Sequence, residues 1–72
     1  MKKIKKIKIK LNGRERLVEE KTKLSKLINN LNIPIKKVAI ELNQEIVDKN
    51  NMQKINLKKN DKIEIVHFIG GG

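Results

Sequence analysis

The sequence predicts a small two-layer α+β roll, in which one main helix packs on one face of a mixed sheet of four to five strands and a flexible glycine tail ends the chain. Three observations carry that prediction. Residues 6–11 alternate strictly between lysine and an aliphatic residue; an apolar stripe at helical spacing occurs once, between Leu24 and Leu31; and the last apolar segment, from Ile63, runs directly into Gly70, Gly71 and Gly72. A single helix covers only one face of a sheet, so the other face is left open.

Taken in order, Lys6-Ile-Lys-Ile-Lys-Leu11 places Ile7, Ile9 and Leu11 on one side of a strand and Lys6, Lys8 and Lys10 on the other. Asn12-Gly13 follows, the strongest short hairpin signal, because a type I′ turn needs positive φ at both central residues. The return strand covers Arg14 to Val18, with its alternation weakened by Leu17-Val18. Thr22 stands where an N-cap is expected, ahead of Leu24, Leu27, Ile28 and Leu31 at i, i+3, i+4 and i+7. Lys23 opposes the positive end of that helix, and Glu19 and Glu20 offset it. Asn32 can end the helix in the left-handed region, and Pro34 blocks its resumption. A helix of about nine residues does not persist unpacked, so its stripe must lie on the sheet.

Val38-Ala-Ile-Glu-Leu42 alternates again, with Val38, Ile40 and Leu42 toward the core. Asn43-Gln44 turns the chain into Glu45-Ile46-Val47. Residues 48–53 read as irregular with Met52 as their anchor, Ile55-Asn56-Leu57 as a short strand or helical turn, and Lys58 to Asp61 as a turn. Ile63 to Ile69 is the last strand. A hairpin, a crossover helix and a terminal strand beside the first satisfy the right-handed crossover rule. The arrangement is a β-grasp, or ubiquitin-like, roll over residues 1–69, with 70–72 as a flexible tail.

Composition narrows the function. Leu, Ile, Val and Phe make up 24 of 72 residues, enough for a real core in one domain near the lower size limit for independent folding. The chain has no cysteine, and no apolar run exceeds three residues, so neither a signal sequence nor a membrane span is expected and the cytoplasm is the expected location. The net charge of +10 is concentrated, with eight of 18 basic residues in the first 16 positions. Such a patch favours anionic partners. Against nucleic acid stand the single aromatic, Phe68, which offers no stacking platform, and the presence of only two arginines, Arg14 and Arg16. A small basic nucleic-acid-binding protein is the remote alternative, and the lysine bias reads more simply as the solvated face of a small domain.

Three of the chain's four glycines close it, a roughly 1-in-3000 coincidence at a usage of about 7% per position. A terminal glycine run is also what a frayed end looks like; here the run follows an apolar strand with no polar spacer. Without side chains the tail fits a narrow groove, and three extended residues reach about 10 Å. The α-carboxylate at its end, with an ordinary pKa of roughly 3.5, is a poor electrophile until activated. Attack on ATP to form an acyl-adenylate is the usual route. One serine (Ser25), one threonine (Thr22) and one histidine (His67), with no cysteine, build neither a nucleophilic triad nor a metal cluster, so the chain reads as substrate or carrier rather than enzyme. His67 itself reads as a strand residue packed near the sheet's end.

The Asn12-Gly13 hairpin, the Thr22-Lys-Leu24 helix start with Leu27 and Ile28, Val38-Ala-Ile-Glu-Leu-Asn43 running into Glu45-Ile46-Val47, the turn ending at Asp61, and Ile63 to Gly72 together resemble the sulfur-carrier family of thiamine biosynthesis in the ubiquitin-like superfamily. The resemblance covers essentially the whole chain, and its last ten residues are the most specific part. It implies that an E1-like activating enzyme, using ATP with magnesium, adenylates the carboxylate of Gly72. Sulfur from a persulfide or cysteine desulfurase then gives a thiocarboxylate, and thiazole synthase takes that sulfur. The carrier itself binds no cofactor or metal. Two related alternatives are the small subunit of molybdopterin synthase, which tends to carry prolines ahead of its glycines where this chain has Val-His-Phe-Ile, and a ubiquitin-like protein modifier.

The resemblance makes the uncovered sheet face the docking surface, and strand parity assigns its residues. With Ile63 and Ile65 inward, Glu64, Val66 and Phe68 face out, beside Lys6, Lys8 and Lys10 of the first strand and Ala39 and Glu41 of the third. Val66, Phe68, Ala39, Glu41, Glu64 and Ile69 are the expected partner-binding residues, with Phe68 as anchor. Glu64 and Glu41 are expected to pair with the lysine stripe.

Overall fold

The computed structural model describes residues 4–68. Five strands, β1 (Lys6–Leu11), β2 (Arg14–Glu19), β3 (Val38–Leu42), β4 (Glu45–Ile46) and β5 (Lys62–His67), form one sheet in the order β2-β1-β5-β3-β4. One helix, α1 (Leu24–Asn30), crosses between β2 and β3. β1 and β5 run parallel at the centre, and the remaining pairs are antiparallel. This is the predicted two-layer roll with its last strand beside its first.

Both hairpins turn on asparagine. Asn12 and Gly13 have φ of +50° and +82°, and Asn43 and Gln44 have +52° and +73°. The left-handed region is costly for most residues with a β-carbon, and asparagine tolerates it better because its short amide bonds locally. Two-residue turns leave no freedom of register: Leu11 faces Arg14 and Lys8 faces Leu17 across the first, and Leu42 faces Glu45 and Glu41 faces Ile46 across the second. Asn32 closes α1 at φ +54°, as its position predicts.

The helix begins differently from the sequence expectation. Its N-cap is Lys23, with no side-chain cap, and it spans seven residues rather than nine. The Thr22 hydroxyl instead donates to the Glu19 carbonyl at 2.6 Å, closing the turn after β2. The helix start is fastened by backbone. Leu24 N–H donates to the Ile55 carbonyl at 2.9 Å, Leu57 N–H donates to the Thr22 carbonyl at 2.8 Å, and Lys23 and Asn56 form a bridge. A partner distant in sequence meets the orphan amide that the cap would have served.

Residues 48–53 are more regular than expected: Lys49–Lys54 form a 3-10 helix whose Asn50 N–H is capped by Asp48 Oδ1 at 2.8 Å. Met52 is its buried anchor, as predicted. The core contains Ile9, Leu24, Leu27, Ile28, Val38, Ile40, Met52, Leu57, Ile63 and Ile65, with Ile7, Leu11, Val18 and Leu42 packed at its margin. Among the described residues every buried one is apolar. β5 supplies two of these side chains and is tied on both flanks, which makes it the structural axis of the domain.

Candidate functional site

The candidate site is the uncovered face of the sheet and the end of β5 that leads to the glycines. Two turn asparagines hold β5 in place. On the β1 side, Asn12 N–H donates to the Ile63 carbonyl at 2.9 Å, and Asn12 Oδ1 accepts from Ile65 N–H at 2.7 Å. On the β3 side, Asn43 Oδ1 accepts from Lys62 N–H at 2.9 Å while Asn43 Nδ2 donates to Asp61 Oδ1 at 3.0 Å. Asp61 Oδ2 in turn accepts from Lys58 N–H at 2.7 Å, closing the preceding turn. Each asparagine thus takes the left-handed backbone of its own turn and pins the last strand.

β5 pairs with β3 from Ile63 to His67, and Phe68 N–H donates to the Lys37 carbonyl at 2.9 Å. The backbone is therefore held by its neighbour as far as Phe68. The strand proper ends at His67, short of the predicted Ile69. Ile69, Gly70, Gly71 and Gly72 lie outside the described residues. His67 is an exposed residue at the end of β5 rather than a packed one.

Parity assigns the outward side chains correctly. Val66 and Phe68 are 48% and 61% exposed, Glu64 is exposed, and Ala39 and Glu41 are half-buried beside them. The register makes Ala39 the cross-strand partner of Val66 and Glu41 that of Glu64. Phe68 turns its ring toward Lys49, whose Nζ lies 5.6 Å from the ring centroid. That contact contributes about 0.5–1 kcal/mol at an exposed site and leaves the ring available.

Two expectations for this face are corrected. β1 and β5 overlap only where Lys10 meets Lys62 and Leu11 meets Ile63, so the strands are staggered along their common direction. Lys6 and Lys8 lie behind the start of β5, and they do not border Val66 and Phe68. The expected pairing of Glu64 and Glu41 with the lysine stripe is absent; the ion pair on this face among the described residues is Lys8 Nζ to Glu15 Oε2, 3.7 Å, across the first hairpin. Two exposed apolar residues also belong to this face and were missed: Leu17, opposite Lys8, and Ile46, opposite Glu41, at 60% and 75% exposure. The signal was present in the two-residue turns, which fix both registers before any coordinates are known.

Among the described residues no group of three or more His, Cys, Asp or Glu side chains could hold a metal ion, and no helix is long and apolar enough to cross a membrane.

A mixed sheet with its first and last strands parallel at the centre and one crossover helix packed on it defines the β-grasp, or ubiquitin-like, class of fold. Comparison with known proteins then gives the family. Residues 6–72 match the ThiS family, and the chain belongs to it. It is 35% identical over 65 residues to the sulfur carrier protein ThiS of Bacillus subtilis, covering 89% of this chain and 98% of that protein. It is 41% identical over 66 residues to the thiazole synthase of Magnetococcus marinus, covering 92% of this chain but only 20% of the synthase. The thiazole synthase of Paramagnetospirillum magneticum matches similarly, at 39% identity, so the chain spans about a fifth of the length of these two relatives. The crystal structure of the thiamine biosynthesis protein ThiS from Geobacter metallireducens superposes with a TM-score of 0.80 at 26% identity, covering 92% of this chain and all of that one.

Proposed function

We propose that this chain is a sulfur carrier of thiamine biosynthesis that acts as co-substrate of other enzymes rather than as an enzyme itself. The observation that carries the reading is the placement of β5: the strand that leads to Gly70-Gly71-Gly72 is fastened on both flanks, and its outer side shows Val66 and Phe68 beside a half-buried Ala39. A partner that seats on this face takes hold of the strand a few residues before the terminal carboxylate. Val66, Phe68, Ala39, Glu41, Glu64 and Ile69 are the residues assigned to docking, with Gly70 and Gly71 passing through a groove that a β-carbon would obstruct.

In the cycle proposed, the Gly72 carboxylate attacks the α-phosphorus of ATP in an adenylating enzyme and expels pyrophosphate. The magnesium that accompanies ATP belongs to that enzyme. The terminal sulfur of a persulfide displaces AMP, and a thiol then cleaves the resulting acyl disulfide to release the thiocarboxylate. Its sulfur is an anionic nucleophile at neutral pH, suited to transfer into a thiazole ring by thiazole synthase. That the family's relatives include proteins named thiazole synthase supports this partner.

The test is intact mass after incubation with an adenylating enzyme, ATP and a sulfur source. A gain equal to replacing one oxygen by sulfur at the C-terminus is expected. Deleting Gly72, or replacing it with a bulky residue, is expected to abolish the gain while the amide spectrum of residues 4–68 stays unchanged. Higher-mass conjugates on a denaturing gel in place of that gain would point to a protein modifier. An unchanged mass with an enzyme competent on another carrier would reject the proposal.

A further inference from the structure

The acidic residues of the open face are arranged against their own electrostatic interest. Glu41 on β3 and Glu64 on β5 are direct cross-strand partners, which sets their β-carbons about 5 Å apart and makes the pair mildly destabilising. The chain has 18 lysines and arginines against eight acids, yet none of the former forms an ion pair with either carboxylate among the described residues. Lys62, two residues before Glu64 on the same side, is the cross-strand partner of Lys10 instead. The stagger of β1 against β5 carries Lys6 and Lys8 away from the pair. Lys10 and Lys62 line a shallow pocket with Glu64, yet no ion pair forms there, so a spot of two unpaired carboxylates survives among the described residues of a strongly cationic protein.

What frames that spot points to its occupant. Ile46 lies opposite Glu41 on the β4 side, exposed, and Val66 follows Glu64 on the tail side, also exposed, with Ala39 between them and Phe68 beyond. Free cations and polyamines have no use for an apolar rim, and the phosphates of a nucleic acid would be repelled by the two carboxylates. We infer that Glu41 and Glu64 together receive a cationic side chain, an arginine by geometry, from the protein that docks on this face, with Ile46, Val66 and Phe68 packing around it. A planar guanidinium carries five N–H donors in a fork and can bond two carboxylates at once, which a lysine ammonium does less well. Phe68 is four residues past Glu64, about 13 Å along an extended chain, so the same docking event grips the strand on the way to the glycines.

The inference rests on the carrier reading, since the docking protein is taken to be the one that activates Gly72. The experiment is ATP–pyrophosphate exchange by the adenylating enzyme, with the full chain as the varied substrate. The substitutions Glu41→Gln and Glu64→Gln are combined in one variant, and Glu15→Gln, at the lysine end of the same face, serves as control. The double variant is expected to raise KM about tenfold, with kcat unchanged and a flatter dependence of KM on salt, as for a lost intermolecular charge pair. Its melting temperature should equal or slightly exceed that of the wild type, which separates lost docking from lost fold. Glu15→Gln should behave as wild type. A double variant with wild-type KM and salt dependence overturns the arginine-receptor assignment alone. Absence of exchange with the wild-type chain, using an enzyme active on another carrier, overturns the carrier reading and this inference with it.

Discussion

Asn12 offers the sharpest test of how the fold holds its last strand, because it performs two separable tasks. Its backbone sits at φ +50° in the first hairpin turn, and its Oδ1 accepts the Ile65 amide across 53 residues of sequence at 2.7 Å. Asn12→Ala removes both. Leaving a part-buried amide unpaired costs about 1–2 kcal/mol. Forcing alanine into the left-handed region adds about 1 kcal/mol. The sum, about 2–3 kcal/mol, is a large fraction of the roughly 4–10 kcal/mol expected for a domain of this size. At about 4–8 °C per kcal/mol the melting temperature should fall by about 10–20 °C. Asn12→Gly keeps the turn and loses only the acceptor, so about 1–2 kcal/mol should be lost. Asn12→Asp keeps an acceptor and tolerates the backbone, and should stay within about 0.5 kcal/mol of wild type. Thermal unfolding followed by circular dichroism ranks the three, and hydrogen exchange at Ile65 reports the bond itself. If glycine proves as stable as asparagine and Ile65 exchange is unchanged, the side-chain bond contributes nothing and the pinning argument fails.

Other outcomes follow from the same geometry. Phe68→Ala should leave the melting temperature within about 1–2 °C, because the ring is exposed, yet weaken partner docking by about 2 kcal/mol or more if Phe68 is the anchor; calorimetric titration with the adenylating enzyme checks this. Lys49→Gln should cost docking and stability less than about 1 kcal/mol each, the scale of its contact with that ring. Leu24→Ala truncates a fully buried side chain where the helix meets the sheet and should cost about 2–5 kcal/mol by urea denaturation. Leu17→Thr, on the open face, should change stability by no more than about 0.5 kcal/mol in the same assay.

Much of this architecture could be read from side-chain periodicity alone. The alternation of residues 6–11, the stripe of Leu24, Leu27 and Ile28, and the inward set Val38, Ile40, Ile63 and Ile65 all recur in the structure as elements and core. These were legible because burial of one face imposes its period locally, within a few residues. The Thr22 cap was misread for the opposite reason. A hydroxyl at the right offset is a local signal, but the amide it would serve is taken by Ile55, a residue that no local window includes. Leu17 and Ile46 were readable in principle from the turns, and only weak alternation obscured them.

The candidate face shows where that legibility stops. Parity along β5 and β3 selects Glu64, Val66, Phe68, Ala39 and Glu41, because facing in or out is a property of each strand taken singly. Which of them are neighbours is a property of pairs of strands, and β1 and β5 are joined by no short turn that would set their register. Their stagger places Ile9 and Ile63 in one core with the α1 side chains, and it carries Lys6 and Lys8 away from the acidic pair. Sequence alone thus determined the main strands and the helix, their order, the inward faces and the glycine end, all of which depend on short-range spacing. Tertiary structure alone decided the helix start, the anchoring of β5 by Asn12 and Asn43, and the grouping of charge on the open face, since each depends on contacts between residues far apart in the chain.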